Sequence, residues 1–497
     1  IMSTSVKITL PNGVTYEQPT GLFINNEFVP SSDGEQIESI NPATEEPICK
    51  VYAASSADID TAVAAARKAF TSVWKAYSID EIARLLQKLA DLFERDRELL
   101  SAIEAADSGK PMNSNAVYDV DECIAQFRYY SGWADKRGGT VAESNPNKFG
   151  YVLHEPHGVC GQIIPWNYPL AMASWKIGPA IATGNCIVLK LAENTPLSML
   201  YVGKLVEEAG FPPGVINIVN GHGKIAGAAI ASHPGIDKVA FTGSTATGKA
   251  VMEMASKTLK NVTLECGGKS PMIVFDDADF DQAIKWAREG IMYNMGQVCS
   301  ATSRILVQEA TYEKFVEAYK NYVQEVAAVG DVFDDTKSHG PLVSEIQFKK
   351  VLGYIETGKK EGARLVTGGN APLPKGYFVE PTVFADVTDE MTIWKEEIFG
   401  PVVCISKFTT EEEALARANA TSYGLGSSVF TENISKALRV ASALEAGSVW
   451  VNSSNDTSHR IPFGGFKMSG IGTELGQYGL DVYTVKKGVH INLGNKL

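Results

Sequence analysis

A cysteine in a permissive turn, a carboxylate at a strand tip and an amide in a proline-flanked loop are the side chains here that suit covalent chemistry on a carbonyl. The cysteine is Cys299, within Asn294-Met295-Gly296-Gln297-Val298-Cys299-Ser300-Ala301-Thr302-Ser303-Arg304, a small, polar stretch opened by glycine. Phe280, Ile284, Ala287 and Ile291 precede it at helical spacing, and Ile305-Leu306-Val307 follows as a strand-like run. The thiol therefore falls at a helix-to-strand junction, where it can face a cleft as a nucleophile. Free cysteine is also among the most buried residue types, so packing is the competing reading. Glu265 closes an apolar run just before Cys266-Gly267-Gly268-Lys269 and suits a general base. Asn167, in Pro165-Trp166-Asn167-Tyr168-Pro169, can aim amide N–H groups at a developing oxyanion or simply form the turn.

A second group of residues suits a phosphate-bearing ligand. Phe241-Thr242-Gly243-Ser244-Thr245-Ala246-Thr247-Gly248-Lys249-Ala250 lies where a strand turns into a helix, whose first N–H groups and dipole attract anions. It is not G-x-G-x-x-G. It does fit G-x-x-x-x-G-K, which raises a nucleotide triphosphatase, yet Ala250 stands where that motif needs a hydroxyl for magnesium. Lys190 and Glu193 follow another strand and would hold ribose hydroxyls, or form a solvated ion pair.

What positions these residues is an alternation of short apolar runs and amphipathic helices. Strand candidates at 159–164, 186–189, 215–219, 238–241 and 262–264 are separated by helix candidates, which predicts parallel strands with crossover helices. The class is α/β, with a doubly wound Rossmann-like sheet. A second α/β run begins at Met272-Ile273-Val274-Phe275 and lasts to about Asn452. The first 50 residues read as a turn-rich meander. Two helices follow, the second long enough to carry Ile82, Leu86, Leu89, Phe93, Leu100 and Ile103 on one side. The tail from Val482 to Ile491 alternates like a strand and needs a partner, either the run from Phe149 to Leu153 or another subunit.

With 497 residues the chain is expected to form two or three domains. A formal net charge of −13 argues against a nucleic-acid partner, because no basic face would neutralise phosphates. The 7 cysteines are scattered and never spaced C-x-x-C, which fits reduced thiols in a cytoplasmic setting. No metal-ligand spacing is visible among cysteines and histidines, so no metal is expected. The opening Ile1-Met2-Ser3-Thr4-Ser5-Val6-Lys7 lacks an apolar core and an Arg-rich face, so no leader is expected, and no run of about 18 apolar residues occurs, so no membrane span is expected.

Taken together, Pro165-Trp166-Asn167, Phe241-Thr242-Gly243-Ser244-Thr245, Leu264-Glu265-Cys266-Gly267-Gly268-Lys269, Gly296-Gln297-Val298-Cys299, Glu396-Glu397-Ile398-Phe399-Gly400-Pro401 and Pro462-Phe463-Gly464-Gly465 resemble the NAD(P)-dependent aldehyde dehydrogenase superfamily, nearest its broad cytosolic and mitochondrial members. The resemblance spans nearly the whole chain. It implies a cofactor domain over 1–135 and 157–267, a catalytic domain over 268–468, and a small β oligomerisation arm from 136–156 and 478–497 that builds a homodimer or homotetramer. It implies Cys299 as nucleophile through a thiohemiacetal and thioester, Asn167 as oxyanion donor, and Glu265 as the base that activates water. Cofactor contacts are implied for Ile163, Ile164, Pro165, Trp166, Lys176, Lys190, Glu193, Gly223, Phe241, Gly243, Ser244, Cys266, Gly267, Glu397 and Phe399, with Glu397 on the nicotinamide ribose.

A carboxylate at Glu193 accepts from a ribose 2′-hydroxyl and repels a 2′-phosphate, so NAD is favoured over NADP. The implied tunnel is lined by Tyr168, Met172, Trp175, Tyr293, Val298, Ser300, Asn455, Asp456 and Phe463 and suits broad aliphatic or aromatic aldehydes. Asp456 with the tyrosines and Trp175 makes an aminoaldehyde or betaine aldehyde the alternative. A catalytically retired NAD-binding or structural protein is the alternative of another class. Two departures stand out from the family pattern. Cys266 replaces a usual leucine, as a small packing group or as a disulfide partner for Cys299, and Leu191 replaces a usual proline, which would loosen the ribose site.

Overall fold

The computed structural model describes residues 3–497; Ile1 and Met2, which begin the stretch read for a leader, lie outside them. Five parallel strands form the centre of an eight-stranded sheet. Val159–Ile163 lies in the middle, with Cys186–Lys190 and then Ile216–Val219 added on one side and Lys238–Thr242 and then Asn261–Glu265 on the other. Most are buried on both faces, which is why their sequences read as continuous apolar runs rather than as alternation. The order reverses between Val159–Ile163 and Lys238–Thr242, so a crevice opens beyond their carboxyl ends. Antiparallel strands close the sheet, Leu22–Ile24 and Glu27–Val29 at one edge and Gly470–Ile471 at the other.

Residues 266–270 carry the chain from that crevice into a second, seven-stranded sheet, ordered Arg364–Thr367, Thr382–Ala385, Val402–Phe408, Arg304–Gln308, Pro271–Val274, Gly426–Phe430 and Ser448–Val451. Pro271 pairs with Arg304, so the segment leaving Glu265 and the turn holding Cys299 enter neighbouring strands at the same end. The carboxyl edge of the first sheet thus abuts the amino edge of the second. Arg304, fully enclosed, ties this seam: its Nε donates to the Lys269 carbonyl (2.9 Å) and its Nη2 to that of Ala418 (2.8 Å). Satisfying a buried guanidinium with carbonyls at a helix end uses the negative pole of the helix Glu411–Asn419.

The sequence reading departs from the structure in the helical layer. The expected long helix is two, Ile79–Arg95 and Arg97–Ser108, because Asp96 leaves helical geometry (φ −97°, ψ 15°). The helix Val117–Trp133, which buries Val120, Ile124 and Phe127, was not foreseen. The tail strand Thr484–Asn492 pairs antiparallel with Lys148–Pro156, Ile491 opposite Phe149, so the in-chain partner is the one realised. Among the described residues no helix is long and apolar enough to cross a membrane.

The cysteine turn departs most from regular geometry. Asn294, Met295 and Gly296 are consecutive left-handed residues (φ 50°, 56° and 71°), an arrangement costly for the two that carry side chains. At Gly296 a Cβ would lie 2.0 Å from the Gly400 carbonyl oxygen. Gly296→Ala is therefore expected to destabilise the protein by about 2–4 kcal/mol, read as a lower urea midpoint; an unchanged midpoint would show that the turn relaxes freely.

Candidate active site

One cavity of about 1020 Å³ runs along the seam between the two sheets, and Cys299 lines it. An amide network fixes the turn that carries the thiol. Asn115 donates to Asn294 Oδ1 (3.0 Å), Asn294 donates to the carbonyls of Asn167 (3.0 Å) and Gln297 (3.2 Å), and Asn167 Nδ2 donates to the Gln297 carbonyl (3.0 Å). Gln297 Oε1 in turn accepts from the Val343 N–H (3.0 Å). Asn167 and the cysteine turn are thereby held in one unit. An amide nitrogen carries two N–H bonds, so one remains at Asn167 for a ligand oxygen.

Glu265 is enclosed, and neither carboxylate oxygen has a hydrogen-bond partner among the described residues. Burial first, and then the nearby Glu474, push its pKa well above the usual carboxylate range, while Lys176 pulls against them. Behind it Lys176 is paired with Glu474 and donates to Thr242 Oγ1 (2.7 Å). Burial, Glu265 and Glu397 together push the Cys299 thiol up to about 12. In this state both groups favour their neutral forms, while Lys176 and Glu474 form a buried ion pair nearby.

The remaining residues separate into two ends of the cavity. Toward the crevice of the first sheet, Pro165, Trp166, Gly243, Ser244, Cys266, Gly267, Glu397 and Phe399 line the wall. Trp166 meets Phe399 edge to face at 5.2 Å. Glu397 accepts from the Gly268 N–H (3.0 Å) and lies so close over Gly267 that a Cβ there would sit 2.3 Å from its Oε2. Ser244 caps the helix Thr245–Ala255 by accepting from the Thr247 N–H (3.2 Å). Lys190, Glu193 and Gly223 cluster outside this wall: Glu193 lies 3.7 Å from the Lys190 ammonium and accepts from the Gly223 N–H (2.7 Å). Burial raises the Glu193 pKa, but Lys190 and backbone N–H groups outweigh it and hold the carboxyl below its usual value. A helix N-terminus, an ionised carboxylate and an aromatic pair along one crevice make a cradle that fits a dinucleotide.

Several expectations need correction. The Lys176 ammonium is enclosed behind Glu265 and does not reach the cofactor cradle. The side chains of Ile163, Ile164 and Phe241 are buried and do not line the cavity. Leu191 does not loosen the ribose end, since it is fully buried and its N–H, which a proline would lack, donates to the Val219 carbonyl (2.9 Å). Cys266 packs its sulfur against Gly248, where a Cβ would come within 2.7 Å. Burial, with the Glu265 and Glu397 carboxylates beside it, pushes its thiol up to about 11, as suits a small packing group.

At the other end, every residue expected along the tunnel lines the cavity. Trp175 meets Phe463 edge to face at 5.3 Å, and Ser300 donates to Asn455 Oδ1 (2.5 Å). Sequence reasoning missed Asn115, Asn294, Glu474 and Glu122. Glu474 had no local signal, being 298 positions from the lysine it pairs with.

Comparison with known proteins agrees with this architecture. Residues 28–489 match the model of the Aldehyde dehydrogenase family. An aldehyde dehydrogenase of Alternaria alternata is 54% identical over 495 residues, 99% of each chain. Aldehyde dehydrogenase [NAD(P)+] 1 of Saccharomyces cerevisiae is 51% identical over 490 residues, 97% of this chain and 96% of that one. The NAD+ complex of an aldehyde dehydrogenase from Bacillus cereus superposes with a TM-score of 0.94 at 52% identity, covering 96% of this chain and 97% of that one.

The electrostatics of Glu265 yield a signed expectation. Glu474 raises its pKa and Lys176 lowers it, so Glu474→Gln removes the raising charge and leaves the lowering one unopposed. The acid-side midpoint of the pH–rate profile should fall by about one pH unit, equivalent to ~1.4 kcal/mol. A midpoint that stays or rises would remove Glu474 from control of this carboxyl.

Proposed function

The chain belongs to the aldehyde dehydrogenase family and is an NAD(P)-dependent enzyme of it, and on that premise we propose that it oxidises aliphatic and aromatic aldehydes to carboxylic acids through Cys299. The observation that carries the reading is Cys299 on the wall of one cavity whose two ends differ, a dinucleotide cradle on one side and an aromatic tunnel on the other. Cys299 loses its proton to solvent, and the thiolate sulfur bonds to the aldehyde carbon as the carbonyl π pair moves onto oxygen, giving a thiohemiacetal anion. The carbonyl oxygen becomes an oxyanion, held by the remaining N–H of Asn167 and the N–H of Cys299. A nicotinamide dinucleotide held by Trp166, Ser244, Glu397 and Phe399 would supply the hydride acceptor for this carbon. The carbon–oxygen double bond re-forms as a thioester on Cys299. Glu265 takes a proton from water, the resulting hydroxide attacks the thioester, the carbon–sulfur bond breaks, and the acid leaves. A carboxyl whose pKa is raised is a stronger base once ionised, which suits that step near neutral pH.

Glu193 supports NAD as the preferred cofactor, because an ionised carboxylate beside a ribose accepts from a 2′-hydroxyl and repels a phosphate. We further propose that residues 136–156 and 478–497 form an assembly arm, separate from the cofactor domain of 1–135 with 157–267 and the catalytic domain of 268–468. The outer edge of Thr484–Asn492 pairs with no strand among the described residues, and Val485 and Ile491 on it are exposed, as on a strand that joins a partner in a homodimer or homotetramer.

Cys299→Ala is expected to abolish NADH formation with acetaldehyde while leaving the folded fraction unchanged; turnover at even a tenth of the original rate would remove Cys299 as the nucleophile, and a wild type that forms no NADH would return the protein to the non-catalytic alternative. Glu193→Gln is expected to narrow the ratio of kcat/KM with NAD+ to that with NADP+ by about tenfold. Equal ratios in the two proteins would take cofactor discrimination away from Glu193.

A further inference from the structure

The tunnel end of the cavity holds more negative charge than its own cations neutralise. Its charged side chains are Asp119, Glu122, Arg288, Glu289 and Asp456. Asp119 is paired with Lys110 at 2.5 Å, and Glu289 with Arg288 at 3.0 Å. Among the described residues neither Glu122 nor Asp456 has a cation within ion-pair distance. The two differ in how they are held. Asp456 is exposed, and its recorded bond is through its carbonyl, from Trp450 Nε1 (3.1 Å). Glu122 is part-buried and anchored: its Oε1 accepts from Trp175 Nε1 (3.2 Å) and Gln126 Nε2 (2.8 Å), while Oε2 takes no donor.

We propose that Glu122 is the recognition residue for a primary ammonium group, so that among aldehydes the enzyme prefers ω-aminoaldehydes, with the ammonium at Glu122 and the aldehyde carbon at Cys299. The proposal rests on the reading of Cys299 as nucleophile given above. A carboxylate fixed by an indole N–H keeps one oxygen oriented and open, and an ammonium completes it with a charge-assisted hydrogen bond. A neutral alkyl chain at the same place leaves that oxygen desolvated and unpartnered. A trimethylammonium group carries the charge but no N–H. It depends on free aromatic faces, and one of them, the Tyr168 ring, is already covered by the Lys110 ammonium at 4.1 Å. The chemistry therefore points to a primary amine rather than to a quaternary one.

The test uses the full chain with NAD+ near neutral pH and three aldehydes: 3-aminopropanal, butanal, which replaces the ammonium by a methyl, and 3-(trimethylammonio)propanal. In the wild type, kcat/KM for 3-aminopropanal should exceed that for either analogue, mainly through KM. In Glu122→Gln, whose amide oxygen can still accept from Trp175, the ratio of 3-aminopropanal to butanal should fall about tenfold or more, as expected for a lost charge-assisted contact. A wild-type ratio at or below one, an equal response to the quaternary analogue, or a ratio unchanged in Glu122→Gln overturns the proposal. The wild-type comparisons decide even where the variant does not fold. Failure to oxidise any of the three would overturn the reading of Cys299 instead, so the two failures are distinguishable.

Discussion

The structure depends on one close approach, that of the segment leaving Glu265 to the turn carrying Cys299. A Cβ at Gly268 would lie 2.6 Å from the Cys299 carbonyl oxygen, and one at Gly267 would lie 2.3 Å from Glu397. Without side chains at these two positions, the edges of the two sheets come together tightly enough to share one seam. Much else follows from that contact. The carboxyl tip of Asn261–Glu265 puts Glu265 at the seam, the crossing to Pro271 places the next strand beside Arg304, and the Arg304 guanidinium ties the crossing to the second sheet. A cavity between sheets is the natural place for a ligand, because strand ends supply fixed backbone groups and the loops supply chemistry.

The same seam sets the electrostatics. Glu265, Glu397 and Cys299 are acids near one seam, and burial raises the pKa of each; Glu474 adds to it at Glu265, and the Glu265 and Glu397 carboxylates add to it at Cys299. The ammonium of Lys176 is the countercharge, yet it is paired with Glu474 and bonded to Thr242 rather than to Glu265. The carboxyl is thus left near a positive charge without being consumed by it. A direct ion pair would hold Glu265 ionised and weaken it as a base.

Most of the fold was legible because its strands are buried on both faces and its helices on one, so the two apolar patterns differ along the chain. What escaped was set by single residues. Asp96 breaks a helix whose apolar spacing runs on through Leu100 and Ile103. The helix Val117–Trp133 carries a mixed face, because Asp119 and Gln126 are buried with its apolar residues, and it lacked a clean amphipathic signal. In the site, Cys299, Asn167 and Glu265 could be singled out because each falls at a strand end or turn in a motif. The residues that tune them were not, because Glu474, Asn294 and Asn115 act through tertiary contacts that leave no trace in spacing.

The two ends of the cavity solve opposite problems with the same residue type. At the cofactor end, Glu193 accepts from the Gly223 N–H beside the Lys190 ammonium, and Glu397 accepts from the Gly268 N–H; each carboxylate is held in part by a backbone group that the fold cannot move cheaply. At the tunnel end, Glu122 is positioned by an indole and an amide, side chains that a single substitution would replace. A site whose scaffold contacts come from the backbone binds what the whole architecture binds, whereas one held by side chains is free to differ from relative to relative. That difference in mechanical support is why a phosphate-binding crevice could be read from a strand end and its glycines, while the carboxylate proposed to select the substrate emerges only from the placement of Trp175 against Glu122.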